Sequence, residues 1–252
     1  MRLLWCYEDD GPSDVVQRIP PDGCPELIVH MGEPYEEQIS DGSFARQPRV
    51  IFAGQMTRPL CLRATGPVGC VGLRFEPDGA ADWFGASMEM ATDRRLGIED
   101  RIVANGSASP ESWSDILQDN IAGALRSRGW PLDKNLRADV RRQESGGVSP
   151  ALSATEQRRT QRLYLRAVGV SPRTLQSIFR FRKVFDHAVG ADPGWLATAL
   201  EAGYFDQPQM ARDFRRFLGC TATEWAREQA ELARSVASPR PVTADDMGLP
   251  AR

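Results

Sequence analysis

The side chains in this chain best suited to chemistry are forked hydrogen-bonding groups at helical spacing: Gln207, Gln209, Arg212, Arg215 and Arg216. Gln and Arg carry paired donors and acceptors that match the edges of adenine and guanine, and further arginines can neutralise phosphates. A catalytic set is not legible beside them. The two histidines, His30 and His187, fall in different parts of the chain, and there is no H-E-x-x-H or H-x-H spacing, no Ser-His-Asp set and no phosphate-cradling glycine loop. Cys6, Cys24, Cys61, Cys70 and Cys220 are odd in number and form no C-x-x-C pair, which speaks against a structural zinc site or a disulfide framework.

The forked side chains belong to the stretch Trp195–Trp225. A first apolar run (Leu196, Ala197, Ala199, Leu200) stops at Gly203, and a second set (Met210, Phe214, Phe217, Leu218) recurs at helical spacing until Gly219. The pattern predicts helix, glycine turn, helix. Asp206 can cap the second helix and Pro208 suits its first turn, so that helix starts near Gln207. Periodicity alone equally fits an amphipathic helix pair with an ordinary solvated face.

With 252 residues and 41% hydrophobic content the chain can build two modest domains without disulfides. Its net charge of −3 is unevenly spread: residues 133–234 carry 17 Lys+Arg against 12 Asp+Glu, and the remainder carries 14 against 22. A basic module beside an acidic one predicts that the C-terminal part meets a polyanion. No stretch approaches the roughly 18 uncharged apolar residues of a membrane span, and Glu8-Asp9-Asp10 follows too soon for a secretory signal. A soluble, cytoplasmic protein is expected. Lys134 and Lys183 are the only lysines, a bias toward arginine without functional content.

To about residue 105, short runs lie between Gly and Pro residues: Glu26 to Met31, Arg49 to Ala53, Leu60 to Ala64 and Val68 to Phe75. Such runs predict an antiparallel sheet curled into a barrel or sandwich. Asp78 to Phe84 reads as a turn entering a helix. After the Ser109-Pro110 start, Trp113, Ile116, Leu117, Ile121, Ala124 and Leu125 form one apolar stripe, which either packs on the chain's own barrel or joins two protomers. Residues 236–252 are polar and Pro-containing and are expected to be disordered.

EAGYFDQPQMARDFRRFLGCTATEW resembles the C-terminal helix-turn-helix signature of the AraC/XylS transcription regulators, with its Gly-Tyr turn, polar cap and Phe-x-x-x-x-Gly ending. More loosely, PPDGCPELIVHMG, GQMTRPL and VGLRFEPDGAADWFG resemble the N-terminal domain of one branch of those regulators. The resemblance implies an α+β protein of two domains: a small cupin-like β-barrel with flanking helices, then an all-α module with two helix-turn-helix units. The expected divisions are 1–130 for sensing or dimerisation, 131–148 for a linker and first helix, 149–235 for DNA binding and 236–252 for the tail.

Within the resemblance, Glu156 to Gly169 corresponds to the recognition helix of the first unit, with Arg158, Gln161 and Arg162 toward bases. Gly169-Val170-Ser171-Pro172 breaks before a linker helix from Arg173. Gln207, Gln209 and Arg212 are the base readers of the second unit, and Arg173, Arg182, Arg215 and Arg216 the phosphate contacts. Two recognition helices would enter major-groove segments roughly one DNA turn apart. The segment VSPALSAT before Glu156 is shorter than the family's usual supporting helix and turn, so the second unit is expected to read better than the first.

The partners implied are double-stranded promoter or operator DNA, RNA polymerase, a second copy of the chain and a small-molecule effector. No cofactor, metal or membrane is implied. Glu26, His30, Gln55, Arg58 and Arg74 lie on or beside the predicted strands and are candidates for an effector pocket, with Arg58 and Arg74 suited to an anionic group. Two other readings stand beside this one: a small-barrel metal- or cofactor-dependent enzyme, and an AraC-like protein-interaction module with little DNA affinity.

Overall fold

The computed structural model describes residues 2–9, 13–99, 102, 112–113, 115–120, 123, 133–147, 152–188 and 195–235. Among the described residues, nine strands lie in the N-terminal part: β1 (Leu3–Asp9), β2 (Ser13–Ile19), β3 (Glu26–His30), β4 (Glu36–Gln38), β5 (Phe44–Arg46), β6 (Val50–Ala53), β7 (Leu60–Ala64), β8 (Val68–Arg74) and β9 (Arg95–Gly97). They form two antiparallel sheets, one in the order β1-β8-β3-β6-β9 and the other β2-β7-β4-β5. The expected antiparallel fold is therefore a two-sheet sandwich. β3, β6, β7 and β8 coincide with the four predicted runs.

The alternation along the five-stranded sheet gives it two different faces. Leu27, Val29, Val50, Phe52, Val71 and Leu73 point away from the second sheet into the main core, where they meet α1 (Ala81–Phe84), the 3-10 turn Met88–Ala91, Trp113 and Leu117. Phe52 stacks on Phe84 with ring centroids 4.9 Å apart and is tilted over Trp83 at 5.3 Å. Residues 115–120 are helical, and Trp113, Ile116 and Leu117 pack on the chain's own sheet. Ile121, Ala124 and Leu125 lie outside the described residues, as does the 236–252 tail. The opposite face, toward the second sheet, is less well filled and lines a cavity.

The C-terminal part consists of α2 (Lys134–Glu144), α3 (Ala154–Ala167), α4 (Pro172–Ala188), α5 (Trp195–Glu201), α6 (Gln207–Leu218) and α7 (Ala222–Ser235). Local signals set the boundaries. Ser153 and Glu156 form a reciprocal capping box at the start of α3, and Ser171 accepts from Thr174 N at the start of α4. The long α4 serves two cores at once. Leu175 and Phe179 pack with Leu136, Val140, Tyr164 and Val168, whereas Ile178, Phe181 and Val184 pack with Ala199, Tyr204, Met210, Phe214 and Phe217. One helix that supplies both cores fixes the angle between the two helical units. Among the described residues, no helix is long and apolar enough to cross a membrane.

The two parts touch at several points. Arg137 of α2 donates to both oxygens of Asp78, at 2.9 and 3.1 Å. Thr92 Oγ1 donates to Gly169 O at 2.7 Å, and Arg18 of β2 donates to Glu228 at 3.0 Å and to Leu218 O at 3.3 Å. The last contact places a cation on the C-terminal carbonyls of α6, the end of a helix that favours positive charge. In the loop before β3, Gly23 has φ +85 and its Cα faces Phe179 of α4, so that a Cβ there would fall 2.7 Å from the ring.

Candidate functional site

The helix α6 is held from both ends and from one side. Asp206 accepts from Gln209 N at 2.7 Å, Gln209 Oε1 accepts from Phe205 N at 3.0 Å, and Gly219 ends the helix in the left-handed region at φ 69. Its inner side buries Met210, Phe214, Phe217 and Leu218. Asp213 on the same side accepts from Tyr204 OH at 3.0 Å and from Arg180 Nη2 at 3.1 Å, and the Arg180 guanidinium lies over the Tyr204 ring at 4.6 Å. Helix α6 is thereby pinned to α4 and to the glycine turn. Its outer side is left to solvent, and that side carries Gln207, Arg212, Arg215 and Arg216.

The outer face continues onto α4. Arg173, Gln176, Ser177 and Arg180 meet Gln209, Arg212 and Arg216 around a polar notch of ≈ 290 Å³, whose charged lining is four arginines and the Asp213 carboxylate. Such an excess of guanidinium over carboxylate in a concave polar site favours an anion. Gln176, Ser177 and Arg180 were not among the residues that the sequence singled out. The signal was present in the one-face spacing of positions 173, 176, 177 and 180, but the sequence did not say which side of α4 faces α6.

The other sequence candidates divide. Arg158, Gln161 and Arg162 are exposed on α3, and Gln161 borders a groove of ≈ 610 Å³ together with Arg142 of α2 and Arg173 of α4. Arg182, expected among the phosphate contacts, lies elsewhere. It sits on the side of α4 toward the sandwich, donating to Glu144 at 2.8 Å and to Asp22 O at 3.3 Å, and Glu144 also pairs with Arg2. Its guanidinium is thus engaged within the interface between the two parts.

The cavity between the sheets measures ≈ 460 Å³ and contains Glu26, His30 and Arg74 in its lining, with Trp5, Tyr35 and Leu62. Trp5 pairs with Gly72 across β1 and β8, and a Cβ on Gly72 would fall 2.1 Å from the indole. Glycine at this point lets the ring lie against the strand and form the cavity wall. Arg74 donates to Glu26 at 2.6 Å and pairs with Asp22 at 3.1 Å. Burial pushes the Glu26 carboxyl up, and the Arg74 charge holds it down. Two candidates fall outside the lining. Gln55 is fully buried and donates to Gly23 O at 2.7 Å, while Arg58 is exposed on the surface, 4.0 Å from Asp93.

His30 is 1% exposed, with Nδ1 3.3 Å from Cys70 Sγ and Nε2 without a hydrogen bond. Burial lowers its pKa to about 4, against a raising contribution from Gln47 and with a small lowering one from Arg49. The unfolded chain would protonate this ring near its ordinary 6.5, so between that value and about 4 the unfolded state binds more protons than the folded one. Stability is therefore expected to fall as pH drops through that window and to be insensitive to His30 above it. The raised Glu26 acts with the opposite sign. Urea unfolding of the parent and of His30→Gln across the window checks the assignment, which requires the variant to lose less stability on acidification than the parent does.

A domain of unknown function (DUF6597) matches residues 1–97. No curated protein matches the chain. Among solved structures, the chain is similar to ToxT from Vibrio cholerae O395, with a TM-score of 0.46 and 10% identity over 90% of this chain and 97% of that one. The same protein bound to (E)-4-(8-methylnaphthalen-1-yl)but-3-enoic acid gives a TM-score of 0.46 and 9% identity over 90% and 98%. Unsaturated fatty acid bound wild-type ToxT from Vibrio cholerae strain SCE256 gives 0.44 and 10% identity over 88% and 94%.

Proposed function

We propose that this chain is a sequence-specific DNA-binding transcription regulator of the AraC/XylS type, with a small-molecule cavity in its N-terminal domain. The observation that carries the reading is the notch between α4 and α6, where Arg173, Arg180, Arg212 and Arg216 converge beside a solvent-facing Gln/Arg helix. An amphipathic pair with an ordinary solvated face would have no reason to gather Arg173, Arg212 and Arg216 around the Arg180–Asp213 pair, because like charges at short range repel. In this reading Gln207 and Arg212 meet base edges, Arg173, Arg215 and Arg216 meet phosphates, Arg180 stays paired with Asp213, and Arg182 is a domain clamp. Gln209, whose Oε1 is turned back to Phe205 N, keeps its amide NH₂ for a base.

The loop Asp22–Cys24 supports coupling between the two parts. Asp22 and Cys24 line the cavity, and the same loop touches Phe179 and Arg182 of α4. The first unit, α2 and α3, presents Arg158, Gln161 and Arg162 as a second reader.

The test is fluorescence anisotropy of the full chain with duplexes tiled from the DNA upstream of its own gene. One duplex should bind with a Kd on the order of 10⁻⁸ M near physiological salt, at least a thousandfold tighter than a shuffled duplex of equal composition. Equal affinity for all duplexes, or none at low salt, would overturn the reading.

A further inference from the structure

We propose that the cavity between the two sheets binds an uncharged, largely apolar, ring-bearing molecule with a hydrogen-bonding group directed at His30. The inference rests on the reading of the N-terminal domain as the sensor of a DNA-binding regulator, and it names the class of molecule sensed. An anion, which Arg58 and Arg74 suggested from the sequence, is disfavoured by how the charges are spent.

The two guanidinium groups in the lining are Arg74 and Arg95. Arg74 is shared by Asp22 and Glu26, and Arg95 is taken by Glu37, with Nε 2.8 Å from Oε2. Among the described lining residues each positive charge thus has a carboxylate already in contact. An incoming carboxylate or phosphate would have to displace one of these and leave it buried beside a second anion, which is strongly unfavourable away from water. A cation would have to compete with Arg74 for Asp22 and Glu26, and of the two carboxylates that share this one guanidinium, burial pushes Glu26 toward its neutral form.

What the cavity leaves unused is neutral. Trp5, Tyr35, Ile28, Leu60 and Leu62 provide apolar and aromatic walls, Trp5 Nε1 is buried without a hydrogen bond, and so is Nε2 of the His30 ring, which is 1% exposed with the Gln47 side chain as a polar neighbour. A buried polar atom without a partner is costly and is usually satisfied by something. Its role depends on the tautomer: if Nδ1 carries the proton toward Cys70 Sγ, Nε2 accepts, and if the thiol donates to Nδ1, Nε2 carries the proton and donates. In either case the ring is uncharged, so its natural complement is a hydroxyl, amine or carbonyl on a neutral skeleton. A volume of ≈ 460 Å³ suits a molecule of two or three rings.

The experiment compares two fluorescent probes on one skeleton: N-phenyl-1-naphthylamine, which is neutral with one N–H, and 1-anilinonaphthalene-8-sulfonate, which adds an anionic group. The full chain should bind the neutral probe with one-to-one stoichiometry and at least tenfold more tightly than the sulfonate. Leu62→Trp, which fills the cavity from the second sheet, should abolish binding. His30→Leu, of similar volume, should weaken the neutral probe about tenfold, the size expected for one lost hydrogen bond. Thermal melting of each variant identifies any that has failed to fold, and a conservative His30→Gln should recover part of the affinity.

Equal or tighter binding of the sulfonate, or binding indifferent to Leu62→Trp and His30→Leu in folded variants, overturns the proposal. Failure of the parent chain to bind the neutral probe overturns it too. The anisotropy measurement on DNA is made without either probe. Loss of DNA recognition with intact probe binding would sink the regulator reading, and the reverse result would sink only the cavity assignment.

Discussion

Phe214→Ala should cost about 3–5 kcal/mol, the usual range for emptying the space of a buried aromatic ring. Phe214 is fully buried at the point where α4, α6 and α7 converge. It meets Phe181 edge-on with centroids 5.0 Å apart and has Phe185 and Trp225 as further ring neighbours. No one of these neighbours can move into the vacated space without abandoning another contact, so collapse is limited and the cost stays high. Against a typical total stability of about 5–15 kcal/mol, that loss is a large fraction. Urea unfolding followed by helical circular dichroism should show a clearly lower midpoint, and DNA affinity should fall with it because the outer face of α6 is presented only when its inner face is packed. An unchanged midpoint would mean that Phe214 is not the keystone of this core.

A second large effect separates reading from anchoring on the same helix. Arg212→Ala should weaken binding to the cognate duplex by about 1–3 kcal/mol and relax preference at one base pair, since a bidentate contact to a base edge is lost. Arg216→Ala should weaken cognate and shuffled duplexes alike and lower the slope of log K against log salt by about 1, as expected for one lost phosphate contact. The Arg216 guanidinium lies over the Phe217 ring at 4.9 Å, which holds it along the helix surface, whereas Arg212 is exposed at the mouth of the notch. If the two variants gave the same sequence profile and the same salt slope, the division of roles along α6 would be wrong.

Much of the helical module was legible because its signals are local. Asp206, Pro208 and Gly219 mark α6 by capping, first-turn and left-handed requirements that act within a few residues, and the observed helix spans Gln207–Leu218. Four strands were legible as apolar runs between turn residues. The remaining strands were not. β4 and β5 are EEQ and FAR, triplets too short to show an alternation, which become strands only through pairing with each other, and in the case of β4 with β7 as well. β1 and β2 carry their own apolar residues, but the charged and glycine-containing segment between them hid the pattern. The short link between α2 and α3 was read as a departure from the family, and residues 148–151 within it lie outside the described residues.

By itself, then, the sequence determined where α6 begins and ends, which side of it is apolar, and that an Arg/Gln face is left over. Those properties follow from periodicity and caps, which depend on neighbours along the chain. The destination of each arginine was decided only by the tertiary structure. Arg173 and Arg182 stand nine positions apart on one helix and read alike, yet one joins the notch and the other is held by Glu144 and Asp22 O. Arg74 likewise looked free for an anion until the fold brought Asp22 and Glu26 onto it. A charge is available to a ligand only if no opposite charge already holds it, and the partners that decide this lie tens to more than a hundred residues away in the chain, where no local pattern records them.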